Sequence, residues 1–532
     1  MSRVFALVPL FTAILGCGKS SSVPAPAPST TTLTQPIPDP QVALRVHWLG
    51  RKQISADRNA TNLMKIWNLP ETLKLQAQTL DKFSAVPWRF LLGQTNHASA
   101  RLLRSLLDDV VAQECYLEVR KATNAADASD QMVLSVHLNA DRANLWQTNV
   151  AAIVQSLGGV SESNNPADWI LKSQSGSTVI EFARAGEWTV LSMAPVHSAL
   201  LDETLARINS HLTPMIVTVT NAFLEGSVNL AQLHNQPGSK AFPGLSFALK
   251  LDEDSVVTTG EVFFGGGERS RLSAWNIPTN LISASAVSIT AIRGLAPYLS
   301  ASKTWASLNA GSPPDQLFIW ATREFPMQTY FIAPMTNAGN AVAQISEAAL
   351  RRQGPTRLTN ALAGFERSKT SDGLSWRGFP FFAPFLRSAN INGENLLVGG
   401  FLNVDMPAGP PPAGVVEGIL AKTNLVYFDR ELTGIHVEQW IQLGQALRLV
   451  SGASQLPGDS ASFQLLQALG TRLGACSTEI IEVEPGKYSF ARRSDIGFSA
   501  IELHVLADWL ESPEFPLGTY SLLVRSPEPP PL

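Results

Sequence analysis

The sequence predicts an α+β fold built from mostly antiparallel sheets with helices packed on them. Strand and helix patterns alternate through the body, and hairpins outnumber crossover helices, which disfavours a doubly wound parallel sheet. Units in which a strand, a helix and antiparallel strands follow one another recur about three times. With 45% apolar residues, the 532-residue chain can bury a large core. We therefore expect repeated strand–helix–hairpin units, although sequence identity between the units is too low to prove duplication.

The first part of the body alternates helical and extended patterns. Apolar residues recur at helical spacing over residues 141–157, and Gly158-Gly159 ends that helix. Further helices are expected over residues 56–67, 71–83, 99–113 and 198–212. Strands are expected over residues 44–49, 115–120, 132–138, 169–174, 178–185 and 188–194.

The second part repeats this theme. Strands are expected over residues 246–252, 256–264, 316–322, 328–334, 363–367, 374–378 and 424–429, and in a hairpin across Pro485-Gly486. Helices are expected over residues 338–352, 434–450 and 460–473. The last helix begins at Ser499, and Glu502 three residues later completes a capping box.

The amino-terminal residues have the order of an export signal. Arg3 precedes an apolar segment, Val4 to Leu15, that is too short to span a bilayer as a helix. The sequence ILGC at Ile14–Cys17 follows, and it resembles the lipobox of bacterial lipoproteins. The resemblance implies a diacylglyceryl group on Cys17, cleavage before this residue and acylation of the new amino end. Pro9 and the single positive charge depart from the pattern, and an ordinary cleaved signal with a chance cysteine, or a buried core segment, are the alternatives.

A linker rich in Ser, Pro and Thr follows the cysteine. Residues 19–40 cannot bury enough surface to fold, and their prolines favour an extended chain of about 3.1 Å per residue. We expect a signal peptide at 1–16, a lipid-anchored linker at 17–41, α+β domains at 42–265 and 266–526, and a disordered tail at 527–532. No later segment has 18 uninterrupted apolar residues, so no transmembrane helix is expected.

Composition and motifs exclude several classes of function. The net charge is −4 and no basic stripe occurs, so nucleic acid is not an expected partner. The chain lacks G-x-S-x-G, P-loop, H-E-x-x-H and C-x-x-C motifs. No pair of its eight histidines has metal-ligand spacing, and His504 is interpreted as a helix residue. No metal and no cofactor are therefore expected.

The densest polar cluster lies between a predicted strand and the helix that follows it. Asp429 and Glu431 could act as acid and base there, with His436 as a proton shuttle. The alternative is that these acidic residues and Thr433 cap the positive end of the helix.

Two further groups of residues are candidates for a structural or binding role. Cys115 and Cys476 lie at or beside predicted strands, and an exported protein could bond them; two independent buried thiols are the alternative. Five aromatic residues in a proline-broken stretch could line an apolar groove for a lipid or peptide, or could pack as ordinary core. They are Trp376, Phe379, Phe381, Phe382 and Phe385.

The stretches IPTNLI, GFERS, ELTGIHVEQW and ELHVLADWLES resemble uncharacterised exported bacterial proteins grouped as a domain of unknown function. This resemblance implies an exported bacterial protein but transfers no activity or site. We expect a lipid-anchored envelope protein that binds or organises an unknown protein or hydrophobic ligand without catalysis. The alternatives are a hydrolase that uses residues 429–438, or a carrier of hydrophobic ligands. Because Gly18 is not the Asp that retains some lipoproteins at the inner membrane, the outer membrane is preferred.

Overall fold

The computed structural model describes residues 42–516 with several gaps. The gaps are residues 94–95, 122–129, 163–164, 174–175, 234–242, 265–271, 284, 325–327, 354–363, 368–372, 378–382, 403–408 and 452–456. The predicted signal peptide, the linker with Cys17 and the tail at 527–532 lie outside the described residues.

The first half of the described chain contains ten strands and seven helices. Its strands are β1 (Val42–Trp48), β2 (Cys115–Arg120), β3 (Gln131–His137), β4 (Val160–Glu162), β5 (Asn165–Ser173), β6 (Gly176–Ala185), β7 (Trp188–Ala194), β8 (Ala222–Asn229), β9 (Gly244–Asp252) and β10 (Ser255–Phe263). Its helices are α1 (Arg51–Ala56), α2 (Thr61–Trp67), α3 (Pro70–Leu92), α4 (His97–Ala112), α5 (Ala140–Ser156), α6 (Ala199–Asn209) and α7 (Leu230–Leu233).

The second half has the same numbers of described strands and helices. Its strands are β11 (Ala286–Arg293), β12 (Gln316–Thr322), β13 (Thr329–Pro334), β14 (Gly364–Arg367), β15 (Leu374–Arg377), β16 (Phe385–Ile391), β17 (Glu394–Gly400), β18 (Leu425–Leu432), β19 (Ala475–Glu484) and β20 (Lys487–Ser494). Its helices are α8 (Ala296–Ala301), α9 (Lys303–Leu308), α10 (Ala338–Gln353), α11 (Val415–Leu420), α12 (Thr433–Ser451), α13 (Ala461–Gly470) and α14 (Ala500–Glu511).

All twenty described strands belong to one sheet, and each ladder between them is antiparallel. The order across the sheet is β4-β5-β6-β7-β3-β2-β1-β8-β9-β10-β20-β19-β18-β11-β12-β13-β17-β16-β15-β14. The chain therefore has the α+β architecture with antiparallel pairing that the sequence predicts. The helices pack on a single large sheet rather than on several smaller ones.

The two halves pair their strands in the same way. Adding ten to each strand number in the first half reproduces every pairing of the second half, from β1–β2 and β11–β12 to β9–β10 and β19–β20. The helices α5 and α10 occupy equivalent connections, and so do α6 and α11. Strands β10 and β20 meet at the centre, so the strand order reads the same from both edges. The pattern of strand pairings thus occurs twice, once in each half. The threefold recurrence expected from the sequence stays a prediction.

The helices α1 to α5 cover one face of the first half. Trp48, Trp67 and Trp88 are each at most 1% exposed within this core, and β1 contributes Leu44 and Val46 from the same face. Arg45 and His47 point to the opposite face, because successive side chains in a strand alternate. Strand β1 therefore has an apolar face toward the helices and an opposite face that carries polar side chains.

The helices α12 to α14 extend this layer and contact the first half. Gln78 on α3 donates to Glu511 on α14 at 2.7 Å, and Lys82 donates to the carbonyl oxygen of Leu510 at 2.7 Å. Phe83 packs edge-on against Phe515 at a centroid distance of 4.9 Å. The halves are therefore joined by side-chain packing as well as by the sheet. None of the helices in the described ranges has the length and apolar character needed to cross a membrane.

Some elements differ from the sequence-based expectation, among them strands β8 and β11, which were not expected. The helix expected over residues 71–83 continues to Leu92 and includes Pro87, because its buried face continues through Val86 and Trp88. The hairpin β16–β17 was not expected, although Asn392-Gly393, both with positive φ, form its turn. Strands from both sides of the predicted boundary at 265–266 belong to this one sheet, and the division into two domains there stays a prediction.

The central strand β10 should be sensitive to any side chain at Gly260. A Cβ atom there would lie 2.1 Å from the carbonyl oxygen of Ser246 and 2.4 Å from Cζ of Phe490. We expect Gly260→Ala to lower the free energy of unfolding by about 2–3 kcal/mol, because both neighbours must move. Urea unfolding followed by circular dichroism measures this loss.

Gly244→Ala on the neighbouring strand β9 is the matched control. Its Cβ would meet its nearest neighbour, Cδ2 of Phe263, at 3.8 Å, which is ordinary contact. The control should change the free energy of unfolding by less than about 0.5 kcal/mol. Equal losses in the two variants would contradict the tight packing between β10 and β20.

Candidate functional site

Strand β18 places the predicted acidic pair on one face of the sheet. Asp429 and Glu431 are two residues apart in the strand and therefore point the same way. Asp429 lies opposite Thr290 of β11, and the Thr290 hydroxyl donates to Asp429 Oδ1 at 2.7 Å. Burial, reinforced by the charge of Glu431, raises the pKa of Asp429 to about 6, although the bond from Thr290 acts in the opposite direction.

Glu431 connects β18 to two helices. It is 3% exposed, and its Oε2 lies 2.7 Å from Nδ1 of His436 in the first turn of α12. Its Oε1 accepts a 2.7 Å hydrogen bond from the backbone nitrogen of Ala500, the first residue of α14. A carboxylate is stabilised at this position because the amino end of a helix is positive. Both oxygens of Glu431 thus contribute to packing.

Arg492 on β20 completes the charges around this cluster. Its guanidinium donates to Thr478 Oγ1 at 2.9 Å and to Glu502 Oε1 at 2.9 Å. Glu502 is also the residue that completes the predicted capping box with Ser499 at the start of α14. The cluster therefore fixes the position of α14 on the sheet.

The structure brings together the three residues that the sequence predicts as catalytic. A carboxylate that binds Nδ1 orients an imidazole so that Nε2 is left to accept a proton, which is what a general base needs. However, the His436 side chain is 13% exposed and Glu431 is almost completely buried. The capping alternative also differs from the structure, because Glu431 accepts its backbone hydrogen bond from Ala500 of α14 and the hydroxyl of Thr433 has no hydrogen-bond partner among the described residues.

The two cysteines lie far apart in the sheet. Cys115 on β2 and Cys476 on β19 are both buried free thiols. Five strands separate β2 from β19, so roughly 29 Å lies between them at the usual strand spacing of about 4.8 Å. A disulfide needs Cα atoms within about 7 Å, so the bond considered from the sequence is wrong and the independent thiols are correct.

The aromatic stretch is only partly described. Phe379, Phe381 and Phe382 lie outside the described residues, and so does the side chain of Trp376 in β15. Phe385 is 4% exposed in the second-half core, and the guanidinium of Arg387 lies 5.5 Å from its ring centroid. This one described member of the predicted groove packs as core.

An open cavity of about 690 Å³ lies in the first half, away from the predicted cluster. Its walls come from α1, the last turn of α4, the end of β3, the first turn of α5 and the turn between β6 and β7. The lining residues are mostly polar: Lys52, Asp108, Asp109, Ala112, Gln113, His137, Asn139, Arg142 and Glu187.

Asp109 is the most buried charged group of the cavity wall. It is 8% exposed and accepts hydrogen bonds from Arg142 Nε at 3.1 Å and from the indole nitrogen of Trp146 at 2.9 Å. Asn139 caps α5, because its Oδ1 accepts from the backbone nitrogen of Arg142 at 3.0 Å. These bonds hold the wall between α4 and α5 in one geometry.

A row of aromatic rings runs from the cavity into the sheet. Nε2 of His137 lies 3.0 Å from Glu187, and its ring meets Trp188 edge-on at 5.0 Å. Trp188 then contacts Tyr116 at 5.4 Å, and Tyr116 stacks on His47 at 4.3 Å. This row connects the cavity to the polar face of β1.

Glu114 holds the inner end of this row. Burial opposes its charge, but hydrogen bonds from His47, Tyr116 and Gln53 lower the pKa of this carboxyl. Nδ1 of His47 is buried and has no hydrogen-bond partner among the described residues. The hydrogen bonds to Glu114 thus hold the rings of His47 and Tyr116 in position.

Sequence reasoning missed this cavity, although one local signal was present. Polar residues follow strand β3 and open helix α5, from His137 to Arg142, at the same kind of strand–helix junction that singled out residues 429–438. Lys52 and Glu187 come from distant parts of the chain, and no local pattern brings them together. The described residues contain no group of three or more His, Cys, Asp or Glu side chains arranged to hold a metal ion.

A second buried polar pair lies on α14. His504 is 6% exposed, and Nδ1 of its ring has no partner among the described residues. Asp508, one turn further, is 8% exposed. Burial lowers the pKa of His504 and raises the pKa of Asp508 to about 7. His504 is therefore a helix residue, as expected from the sequence, but it is buried, whereas the sequence suggested a surface or half-buried position.

No protein family matches the sequence, and no curated protein or solved structure is significantly similar to the chain.

Replacing Glu431 should test whether the cluster is structural. Glu431→Gln removes the charge that faces His436 and the amino end of α14, so we expect the free energy of unfolding to fall by about 1–3 kcal/mol. Urea unfolding measures the loss. Glu484→Gln, at the exposed last residue of β19, is the control and should change the free energy of unfolding by less than about 0.5 kcal/mol. An unchanged midpoint of urea unfolding for Glu431→Gln would show that this carboxylate does not stabilise the fold.

Asp508 should make stability depend on pH. Its pKa rises from 3.8 in the unfolded chain to about 7 in the folded protein, so the folded state binds the extra proton. The free energy of unfolding therefore falls as pH rises from about 4 to about 7. Asp508→Asn removes this penalty and should stabilise the protein by on the order of 2 kcal/mol near pH 8, with no gain below pH ~4.

Urea unfolding at several pH values measures the gain from Asp508→Asn. The exposed substitution Asp459→Asn is the control and should leave the pH profile unchanged. A gain that is the same at all pH values would show that the carboxyl of Asp508 does not titrate in this range.

Proposed function

We propose that this chain is a lipid-anchored, exported protein of the bacterial envelope whose folded body is a binding or structural module. The sequence ILGC at Ile14–Cys17, followed by a proline-rich linker, carries the proposal. The first strand begins at Val42, directly after that linker. An extended linker of about 25 residues at about 3.1 Å each would hold the body several tens of Å from its lipid.

The contacts of the acidic cluster favour a module over an enzyme at residues 429–438. Glu431 uses both carboxylate oxygens in bonds to His436 and Ala500, and Asp429 binds Thr290. A hydrolase is the second candidate, and the orientation of His436 by Glu431 is the observation in its favour. The polar lining of the cavity does not support a carrier of hydrophobic ligands.

Lipidation of Cys17 can be tested directly in a bacterial host. Cells that express the full chain are fed an alkyne-labelled fatty acid, and the label on the purified protein is detected by coupling to a dye. We expect wild-type protein to carry the label and Cys17→Ser to lose it, because Sγ of Cys17 is the only site for the diacylglyceryl group. Mass spectrometry of the mature protein should place its amino end at residue 17.

Cys115→Ser and Cys476→Ser are the matched controls, since they remove the other two thiols of the chain. Both variants should keep the label. Label on Cys17→Ser equal to that on wild type, or a mature amino end at another residue, would refute the anchor.

A further inference from the structure

The cavity of the first half has the chemistry of a site for a neutral, hydroxyl-rich ligand. Eight of its nine lining residues carry polar or charged side chains, and Ala112 is the exception. Its volume of about 690 Å³ lies within the roughly 300–1,000 Å³ of small-molecule sites, but such sites are usually lined by apolar groups. An apolar ligand would displace water from these polar groups without offering them hydrogen bonds, which is costly.

Most charged groups of the wall are paired within the protein, and the exposed Lys52 is the exception among the described residues. Asp109 is paired with Arg142, and Asp108 lies 3.2 Å from Arg104. Glu187 lies 3.0 Å from His137. An anionic ligand would approach three carboxylates, whereas a cationic ligand would have to compete with the groups that already pair with them. The wall thus favours a ligand without net charge.

The same wall offers both donors and acceptors. Gln113 and Asn139 are amides, which carry a donor and an acceptor each. Because Asn139 Oδ1 already accepts from the backbone of α5, its nitrogen is left to donate. A hydroxyl group also donates and accepts, so a ligand with several hydroxyls matches this mixture.

The geometry of the cavity is fixed in advance. Asp109 binds both Arg142 and Trp146, and the backbone nitrogen of His137 donates to the carbonyl oxygen of Glu114 at 2.9 Å. Groups that are already held in place lose little conformational freedom on binding.

We propose that the cavity lined by Gln113, Asn139, Arg142 and Glu187 is a binding site for a neutral carbohydrate. The proposal rests on the proposed function, because it names the ligand class of the binding module. Lipid labelling of Cys17 and sugar binding are measured separately, so a failed titration leaves the anchor intact and a failed anchor leaves the site intact.

Isothermal titration of the purified full chain tests the site. The probes are the trisaccharides of glucose and of N-acetylglucosamine at millimolar concentrations, with citrate as a small anion. We expect at least one trisaccharide to bind and citrate not to bind. Absence of heat with both sugars, or tighter binding of citrate, would overturn the proposal.

Two variants locate the binding in the cavity. Gln113→Ala removes one amide from the wall but keeps the Asp109–Arg142 pair, and it should weaken binding about tenfold. Ala112→Phe fills the cavity and should abolish binding. Gln155→Ala, an exposed amide at the far end of α5, is the control and should bind as wild type does. Circular dichroism checks that each variant is folded, and unchanged affinity in folded Gln113→Ala and Ala112→Phe would exclude the cavity.

Discussion

The hydrogen bonds between β10 and β20 are the interaction on which the rest of the architecture depends. Eight residue pairs, from Val256 with Ser494 to Phe263 with Lys487, join two ten-strand arrays into one sheet. Because equivalent strands meet there in antiparallel orientation, the strand order is symmetric about this ladder. Without this ladder, each half would expose the unpaired backbone of a long strand. In the helical layer, the contacts of α3 with α14 also join the two halves.

The two halves share a strand order but differ in the helices that connect their strands. Four helices connect β1 to β2, whereas two short helices connect β11 to β12. The second half instead places α12 and α13 after β18, where the described residues of the first half have the single turn α7. The helices that contribute to the polar cavity and to the contacts of Glu431 therefore stand at different connections in the two halves. One common scaffold carries two different helical layers, and the layer decides where polar groups become accessible.

Local features of this fold could be predicted from sequence, and long-range ones could not. Helix α5 and the capping box at Ser499 are encoded by neighbouring residues, so their patterns were sufficient. The continuation of α3 through Pro87 depends on tertiary burial of Trp88, which no local propensity contains. The sequence places Asp429, Glu431 and His436 close together along the chain, but it does not predict their burial, because α14 covers Glu431 from almost 70 residues away. The cavity gathers residues from Lys52 to Glu187, and only its β3–α5 corner leaves a local trace.

The two outermost strands of the sheet are short over their described residues, as is β15. Strand β4 has three residues and β14 has four, while the strands at the centre have eight or nine. A short outer strand offers few free backbone groups on which another chain could add a strand. If lipid anchors concentrate many copies on one membrane surface, neighbouring molecules will collide often. The tapering of the sheet then favours individual molecules over fibrous aggregates under crowded conditions.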